Sequence, residues 1–370
     1  MRLEVSGIHT QRRIKIVLLA IFVVLLFLFS VNLLSTTLSM LGKDTVYKLL
    51  NITINPFIGL FIGLLSTAIL QSSSATTSMI VAMVASGSLT LSNAVPIVMG
   101  ANIGTTMTSN LVSLSFIARR GQFRKALTTA TSHDFFNIFT AFIVFPLEYY
   151  YNILSDASEY LGRLLSFDNN SATYGQLKVI FLEKIPLSQW IISVIGNNYI
   201  VALMAVILIL VSIKWLSRII YNELIGNSRN WFERYIFKNA YKSFLWGAAV
   251  TVSVQSSSVT TSLVVPVVAN GQIKFKNAFP FIIGANIGTT ITALIASLFR
   301  SEAAISIAIA HLLFNLIGVI IFLPYKPLRK IPMQMAIRLG KLTKKHRIAG
   351  FIYLILCFFL IPFLFIFFSS

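Results

Sequence analysis

The chain has 370 residues, of which 56% are hydrophobic and 11% charged, and its mean hydropathy is +0.82. Soluble domains carry about 25% charged residues, so this composition excludes a water-soluble fold of this size and an intrinsically disordered chain. Thirty Lys and Arg face 11 Asp and Glu, a net charge of +19. In a soluble protein this excess would suggest nucleic-acid binding. In a membrane protein it indicates cytoplasmic loops that follow the positive-inside rule, so we predict no nucleic-acid partner.

Apolar segments long enough to span a bilayer recur along the chain, because a membrane helix needs about 20 residues. The first segment, 14–41, follows a basic arm and lacks the cleavage pattern of a signal peptide. The interval 151–189 is polar with mixed charge, and we expect an exposed loop there. The pattern predicts an all-α polytopic membrane protein with further apolar segments at 53–86, 93–117, 126–150, 190–216, 243–268, 277–299, 302–324 and 349–368.

An internal repeat organises these segments. The sequence Gln71–Ser78 returns almost unchanged at Gln255–Ser262, with an offset of 184 residues. Between 71 and 109, 22 of 39 positions match those in 255–293, and the matches include the Gly-Ala-Asn-Ile-Gly-Thr-Thr motif. The correspondence resumes later at an offset of 178, where His133–Asn137 faces His311–Asn315. The chain therefore contains two copies of one structural unit.

The loop charges predict that the two copies are inverted. A strongly basic segment, 119–125, follows the Gly-Ala-Asn motif of the first copy, whereas its counterpart near 300–302 is almost neutral. The end of the first copy, 148–159, is acidic, while the end of the second, 326–330, is basic. Because basic loops stay in the cytoplasm, the copies should have opposite orientations, which is the inverted-repeat plan of secondary transporters.

The repeat also predicts a division of the chain into six parts. Each copy should contain a re-entrant helical hairpin at its Gln-Ser-Ser-Ser motif and a broken, unwound transmembrane helix at its Gly-Ala-Asn motif. The predicted parts are a cytoplasmic arm and first helix (1–50), repeat 1 (51–150), an extracellular or periplasmic loop (151–189), a connecting helix with a basic cytoplasmic segment (190–240), repeat 2 (241–325), and a basic cytoplasmic segment with the last helix (326–370).

The Gln-Ser-Ser-Ser motifs are the strongest candidates for a binding site. A few small polar residues in an apolar run often serve only close helix packing. A run of consecutive polar residues that occurs twice, at equivalent positions, instead favours a site in which hydroxyl, carboxamide and backbone N–H groups bind an oxyanion. The Gly-Ala-Asn motifs can expose carbonyl oxygens suited to sodium if the glycines unwind the helix. The alternative is a small-residue packing face at Gly100/Gly104 and Gly284/Gly288.

Acid–base catalysis has few candidates in this chain. Neither motif contains a carboxylate, and the nearest acid–base pair is His133 with Asp134. We expect this pair to form a helix-end or interhelical hydrogen bond, with proton coupling as the alternative. The chain also lacks nucleotide-loop, zinc-site and nucleophile-elbow motifs. We therefore predict that the protein is not an enzyme.

The doubled Gln-Ser-Ser-Ser motifs, the doubled Asn-Ile-Gly-Thr motifs and His133–Asn137 resemble the type II sodium-dependent phosphate cotransporter family, over roughly 50–150 and 240–365. The resemblance implies a symporter that imports inorganic phosphate with Na⁺ as the coupling ion and no other cofactor or metal. The implied phosphate contacts are Ser72, Ser73, Ser74, Ser256, Ser257, Ser258, Asn102 and Asn286. The implied sodium ligands are Gln71, Gln255, Thr105, Thr108, Thr289 and Thr292.

Three departures from the family pattern affect this interpretation. Arg119 occupies the place of an Asp in electrogenic members, so the sodium stoichiometry stays open. Ala285 replaces a frequent Ser, and 151–189 is short and free of cysteine. These features fit a bacterial inner-membrane protein with a cytoplasmic N-terminus and an external C-terminus.

The alternatives to phosphate symport are transport of another tetrahedral oxyanion, such as sulfate or arsenate, and a phosphate-sensing membrane subunit that does not transport. Membrane lipids are the remaining expected partners, and the oligomeric state is left open.

Overall fold

The computed structural model describes residues 55–114, 116–165, 186–220, 235–271, 273–297 and 302–369, with scattered positions between 16 and 37. The predicted first part, 1–50, falls almost wholly outside these residues, as does 166–185 of the predicted loop. All regular structure in the described part of the chain is helical, which agrees with an all-α membrane protein.

The helices fall into the two copies of the repeat, a connection between them and a C-terminal part. The first copy contains α1 (Pro56–Leu70), α2 (Ser73–Ala85), α3 (Leu91–Gly104), α4 (Met107–Leu114) and α5 (Arg120–Tyr151). The connection contains α6 (Ile153–Leu165), α7 (Pro186–Ile195) and α8 (Asn198–Ile220). The second copy contains α9 (Ala240–Val254), α10 (Ser257–Ala269), α11 (Phe275–Ser297) and α12 (Glu302–Phe322). The chain continues with α13 (Lys326–Lys345), α14 (Ile348–Ile355), a π-helical turn (Leu356–Leu360) and α15 (Ile361–Ser369).

Two segments in the described residues are long and apolar enough to cross a membrane, namely α12 and the continuous run Ile348–Phe368. The second of these presents large apolar side chains outward, and Phe367 and Phe368 are 63% and 79% exposed. Such a surface is stable when lipid covers it. By contrast, α1, α2 and α10 have 15, 13 and 13 residues. At 1.5 Å per residue they are about 20–23 Å long, which is shorter than a hydrocarbon core of about 30 Å.

The expected loop at 151–189 is wrong over its first part, because α6 occupies 153–165. The buried carboxylate of Glu148 caps this helix and accepts hydrogen bonds from the backbone N–H groups of Leu154 (2.7 Å) and Ser155 (3.1 Å). A carboxylate at a helix N-terminus satisfies free N–H groups and complements the helix dipole. The helix packs on α12, with Gly162 directly against Ser306. Because the interval is polar on average, its composition did not indicate the amphipathic helix within it.

Close backbone contacts hold the first and third helices of each copy together. In the first copy α1 packs on α3, and a Cβ on Gly100 would lie 1.8 Å from the carbonyl oxygen of Leu60. In the second copy α9 packs on α11, and a Cβ on Gly284 would lie 2.0 Å from the carbonyl oxygen of Phe244. Only glycine permits such an approach, so these residues form the small-residue packing face that was the alternative to unwinding.

The predicted helix break occurs in the first copy only. There α3 ends at Gly104, and α4 begins at Met107 after a turn at Thr105 and Thr106. In the second copy α11 is continuous from Phe275 to Ser297 across the whole motif, so the break expected there is wrong. The paired glycines are used for packing against α9, and an α-helix tolerates them because each costs only about 1 kcal/mol.

Candidate functional site

Each Gln-Ser-Ser-Ser motif forms a sharp turn between two helices. Gln71 ends α1 with φ 53° and ψ 30°, and Gln255 ends α9 with φ 54° and ψ 27°. A glutamine in this left-handed region is uncommon and carries backbone strain. Both residues donate their backbone N–H back into the preceding helix, to Thr67 and Thr251. The same strained turn at two equivalent positions shows that the sequence repeat is also a repeat in local structure.

The serines that follow begin the next helix in the same way in both copies. Ser72 and Ser256 are extended, and each hydroxyl oxygen accepts a hydrogen bond of 3.2 Å from the backbone N–H three residues later. Ser73 and Ser257 then open α2 and α10 with only 3% and 2% of their surface exposed. The first N–H groups of a helix lack intrahelical partners and attract anions. Each motif therefore combines buried hydroxyls with a helix N-terminus.

The two motifs approach each other and the break of the first copy. The Ser74 hydroxyl lies 3.5 Å from the carbonyl oxygen of Gln255, and the Ser258 hydroxyl lies 3.5 Å from that of Thr105. Helix α2 packs on α11, and α10 packs on α4, so each copy contacts the other with equivalent parts. The structure thus brings the predicted phosphate-contacting serines of both copies to one interface.

Several buried hydroxyl groups on the helices that form or flank these turns lack a hydrogen-bond partner. Among the described residues they include the Thr108 hydroxyl, a predicted sodium ligand, and those of Thr77, Ser78, Thr251 and Ser262. A buried polar group without a partner is costly, and an ion that binds there would satisfy it. The repeat itself was the signal for Ser78 and Ser262, which sequence reasoning did not select.

The other predicted sodium ligands differ from Thr108, whose hydroxyl lacks a hydrogen-bond partner in the part of the chain that the structure describes. The Thr105 and Thr289 hydroxyls each donate to the carbonyl oxygen four residues earlier, to Ala101 at 2.9 Å and Ala285 at 3.1 Å. The Gln71 side chain is exposed, and that of Gln255 is half-buried. Thr292 lies in α11, but its side chain is outside the described part of the structure.

The two motif asparagines belong to a buried network that crosses between the copies. His133 Nε2 lies 2.6 Å from Asn286 Oδ1, and His311 Nε2 lies 3.2 Å from Asn102 Oδ1. Asn137 adds two hydrogen bonds, from its Nδ2 to the Asn102 carbonyl oxygen (2.8 Å) and from Asn286 Nδ2 to its Oδ1 (2.6 Å). The side-chain amides of Asn102 and Asn286, predicted to contact phosphate, are engaged here with protein groups.

Asp134 forms interhelical hydrogen bonds beside this network. Both of its carboxylate oxygens accept from Asn110 Nδ2 at 2.9 Å, and Oδ2 also accepts from the Tyr353 hydroxyl at 2.9 Å. These bonds join α5 to α4 and to the last apolar segment. Of the two expected roles for His133 and Asp134, the interhelical hydrogen bond is confirmed and the helix-end bond is not, because both residues lie in the middle of α5. Sequence reasoning missed Asn110 and Tyr353, which belong to no repeated motif.

A protein-family comparison matches the Na⁺/Pi-cotransporter family over residues 26–145 and 208–343, more than half of the chain. The chain belongs to the Na⁺/Pi-cotransporter family. The predicted resemblance is therefore confirmed, and the family is one of transporters rather than enzymes. No cluster of three or more His, Cys, Asp or Glu residues suited to a metal occurs in the described parts of this cotransporter-family chain.

Curated relatives carry matching names. The chain is 31% identical over 418 residues to mouse sodium-dependent phosphate transport protein 2A, an alignment that covers 91% of this chain and 65% of the mouse protein. It is 30% identical to the sheep 2A protein, covering 97% and 69% of the two chains, and 28% identical to the human 2B protein, covering 91% and 62%. The chain thus spans less than two thirds of the mouse and human relatives. No solved structure matches it.

Proposed function

We propose that this chain imports inorganic phosphate across the plasma membrane together with Na⁺, by alternating access. The observation that carries the proposal is the pair of equivalent Gln-Ser-Ser-Ser turns, which place buried serines and two helix N-termini at one interface between the copies. A tetrahedral anion needs donors from several sides, and two copies supply them. The names of the relatives, which describe sodium-dependent phosphate transport, support the same substrate pair.

Sodium has two roles in this proposal. No Lys or Arg occurs in either Gln-Ser-Ser-Ser motif or in either Gly-Ala-Asn motif, so bound Na⁺ offsets the anion's charge. Hydroxyl and carbonyl oxygens are hard ligands, and the unpartnered Thr108 hydroxyl is the best supported of the predicted set. Gln71, Gln255, Thr105, Thr289 and Thr292 complete our proposed sodium ligands. Asn102 and Asn286 are not among our proposed phosphate contacts, because their side-chain amides form hydrogen bonds between the two copies.

The proposed mechanism also requires inverted, re-entrant hairpins. The pairs α1–α2 and α9–α10 turn at a glutamine and consist of helices too short to cross the membrane, which supports hairpins that enter and leave on one side. The basic segments 119–125 and 326–347 define the cytoplasmic side by the positive-inside rule. We therefore place the N-terminus inside and the C-terminus outside, in the inner membrane of a bacterium, and we keep the six predicted parts as the domain plan.

Purified protein in liposomes is expected to accumulate labelled phosphate when Na⁺ is outside, because coupled symport uses the sodium gradient. The measurement compares initial uptake with an inward gradient of sodium or of choline. Equal uptake in the two gradients would contradict the coupling. Saturable phosphate binding without net uptake would instead favour a sensing subunit. The degree to which sulfate or arsenate at equal concentration inhibits phosphate uptake would rank the alternative oxyanions.

Inversion predicts opposite accessibility for two equivalent positions at the hairpin ends. Thr90 and Lys274 are 184 residues apart and both are exposed. In a Cys357→Ala background, Thr90→Cys should react with a membrane-impermeant thiol reagent in intact cells, whereas Lys274→Cys should react only after permeabilisation. The Cys357→Ala parent is the control for background labelling. Labelling of both cysteines from the same side would show that the copies are parallel.

A further inference from the structure

A basic cavity lies away from the serine interface, where the two copies meet α13. Its volume is about 380 Å³, and it is bounded by the start of α5, the connection between α10 and α11, and α13. Four cationic side chains line it, Arg124 and Lys125 from α5, Lys274 from the connection and Lys341 from α13. The serine interface and the buried His–Asn network do not use these residues.

The positive charge of the cavity is not neutralised within the described part of the chain. None of the residues that line the cavity is acidic. None of the four cations takes part in a salt bridge there, since the described ion pairs are those of Arg163 with Glu159 and Glu302. Unpaired cations that converge from three elements repel one another and favour an anionic ligand.

The remaining walls of the cavity are mostly apolar, since the hydroxyl of the one other polar residue in the lining, Thr128, donates to the Arg124 carbonyl oxygen of its own helix. Val268, Ile273, Phe275 and Ile337 line it beside the cations. A free phosphate ion has five heavy atoms and no apolar part, so it would leave these walls and most of the volume unused. A phospholipid places a phosphate group next to glycerol and acyl carbons, and it satisfies both kinds of wall. Basic pockets between helices on the cytoplasmic side are known to suit anionic lipid headgroups.

We propose that this cavity is a binding site for the phosphate-bearing headgroup of an anionic phospholipid. The four cations contact the headgroup, and the apolar residues contact the first carbons of the lipid. The location fits, because segments 119–125 and 326–347 lie on the side that we assign to the cytoplasm. The proposal rests on the membrane location of the family and does not depend on which ion the protein transports.

Occupancy of the site would link the two copies to each other and to α13. The first copy already contacts the connection of the second, through a hydrogen bond of 3.2 Å from Gln122 Nε2 to Asn270 Oδ1. Lys125 Nζ lies 3.2 Å from the position of a Cβ on Gly271 in the same connection. A ligand that contacts Lys125, Lys274 and Lys341 together stabilises the conformation in which these elements are close.

The test measures stabilisation of the purified, full-length chain in a neutral detergent by a soluble short-chain lipid. We expect dihexanoyl-phosphatidylglycerol to raise Tm, whereas the zwitterionic dihexanoyl-phosphatidylcholine should not. Lys274→Gln with Lys341→Gln should raise the lipid concentration for half-maximal effect about thirtyfold, since each Lys or Arg near such a headgroup contributes about 1 kcal/mol and tenfold corresponds to about 1.4 kcal/mol. The Lys274→Arg, Lys341→Arg variant keeps the charges and should respond like the parent.

A matched pair on α13 controls for the loss of charge. Arg338 and Lys344 are exposed and lie outside the cavity lining, so Arg338→Gln with Lys344→Gln should leave the half-maximal concentration within threefold of the parent. An unchanged response of the Lys274→Gln, Lys341→Gln variant would overturn the proposal. The proposal would also be overturned if inorganic phosphate stabilised the parent and the Lys274→Gln, Lys341→Gln variant lost this stabilisation. The ligand would then be a free anion rather than a lipid. Phosphate bound at the serine interface would be insensitive to this variant.

Discussion

Phosphate uptake is expected to fall at least about a hundredfold when Ser73 and Ser257 are both replaced by alanine. Ser73 and Ser257 are nearly fully buried residues at the start of α2 and α10, where their hydroxyls and the free backbone N–H groups can donate to an anion. A hydrogen bond to a charged group contributes about 1.5–3 kcal/mol, and about 1.4 kcal/mol corresponds to a tenfold change. Two lost donors therefore remove about two orders of magnitude or more, measured as kcat/KM for phosphate in proteoliposomes.

The control for this experiment uses serines whose hydroxyls are already satisfied. Ser193 donates to the Trp190 carbonyl oxygen and Ser253 to that of Ala249, each within its own helix. Ser193→Ala with Ser253→Ala should transport like the parent. All variants should reach the membrane in equal amount and elute as one species, because alanine is a good helix former. Uptake by the Ser73→Ala, Ser257→Ala variant within twofold of the parent would remove both serines from the site.

Replacing Gly284 by alanine is expected to destabilise the protein by on the order of 3 kcal/mol, the upper part of the usual range for overpacking. The added Cβ would lie 2.0 Å from the Phe244 carbonyl oxygen, and backbone atoms cannot rotate away as a side chain does. Gly100→Ala should behave alike, because its Cβ would lie 1.8 Å from the Leu60 carbonyl oxygen. We expect a lower Tm and less monodisperse protein, measured by thermal unfolding in detergent.

Gly121 provides the matched control, since it is also helical but has no atom within 4 Å of an added Cβ. Gly121→Ala should leave Tm unchanged or raise it slightly, because alanine restricts the unfolded chain and favours the helix. Equal Tm values for Gly284→Ala and Gly121→Ala would show that the close approach of α9 and α11 does not contribute to stability.

The difference between the two Gly-Ala-Asn motifs shows where prediction from sequence reached its limit. Both motifs are identical over seven residues, yet a turn at Thr105 and Thr106 interrupts the helix in the first copy and α11 is continuous in the second. Glycine lowers helix propensity in both, but propensity is weak beside tertiary packing. The surroundings of each motif therefore decided between unwinding and close packing.

Polar side chains in the apolar segments were equally hard to assign in advance. The family resemblance implied that Asn102 and Asn286 contact phosphate, but their side chains pair with His311 and His133 of the opposite copy. A histidine 209 residues away cannot be identified as a partner from spacing alone. Buried polar groups must find partners, and only the folded chain shows which partner is near.

The sequence by itself determined the class of the protein, the duplication and the family. Composition, a repeat at constant offset and two doubled motifs carry that information, because each depends only on residue type and order. Tertiary structure decided which glycines pack closely, where the helix breaks, and that Glu148 caps a helix, α6. It also decided that four of the few charged residues, which make up 11% of the chain, surround one cavity. These features depend on contacts between residues far apart in the chain, which residue type and order alone do not specify.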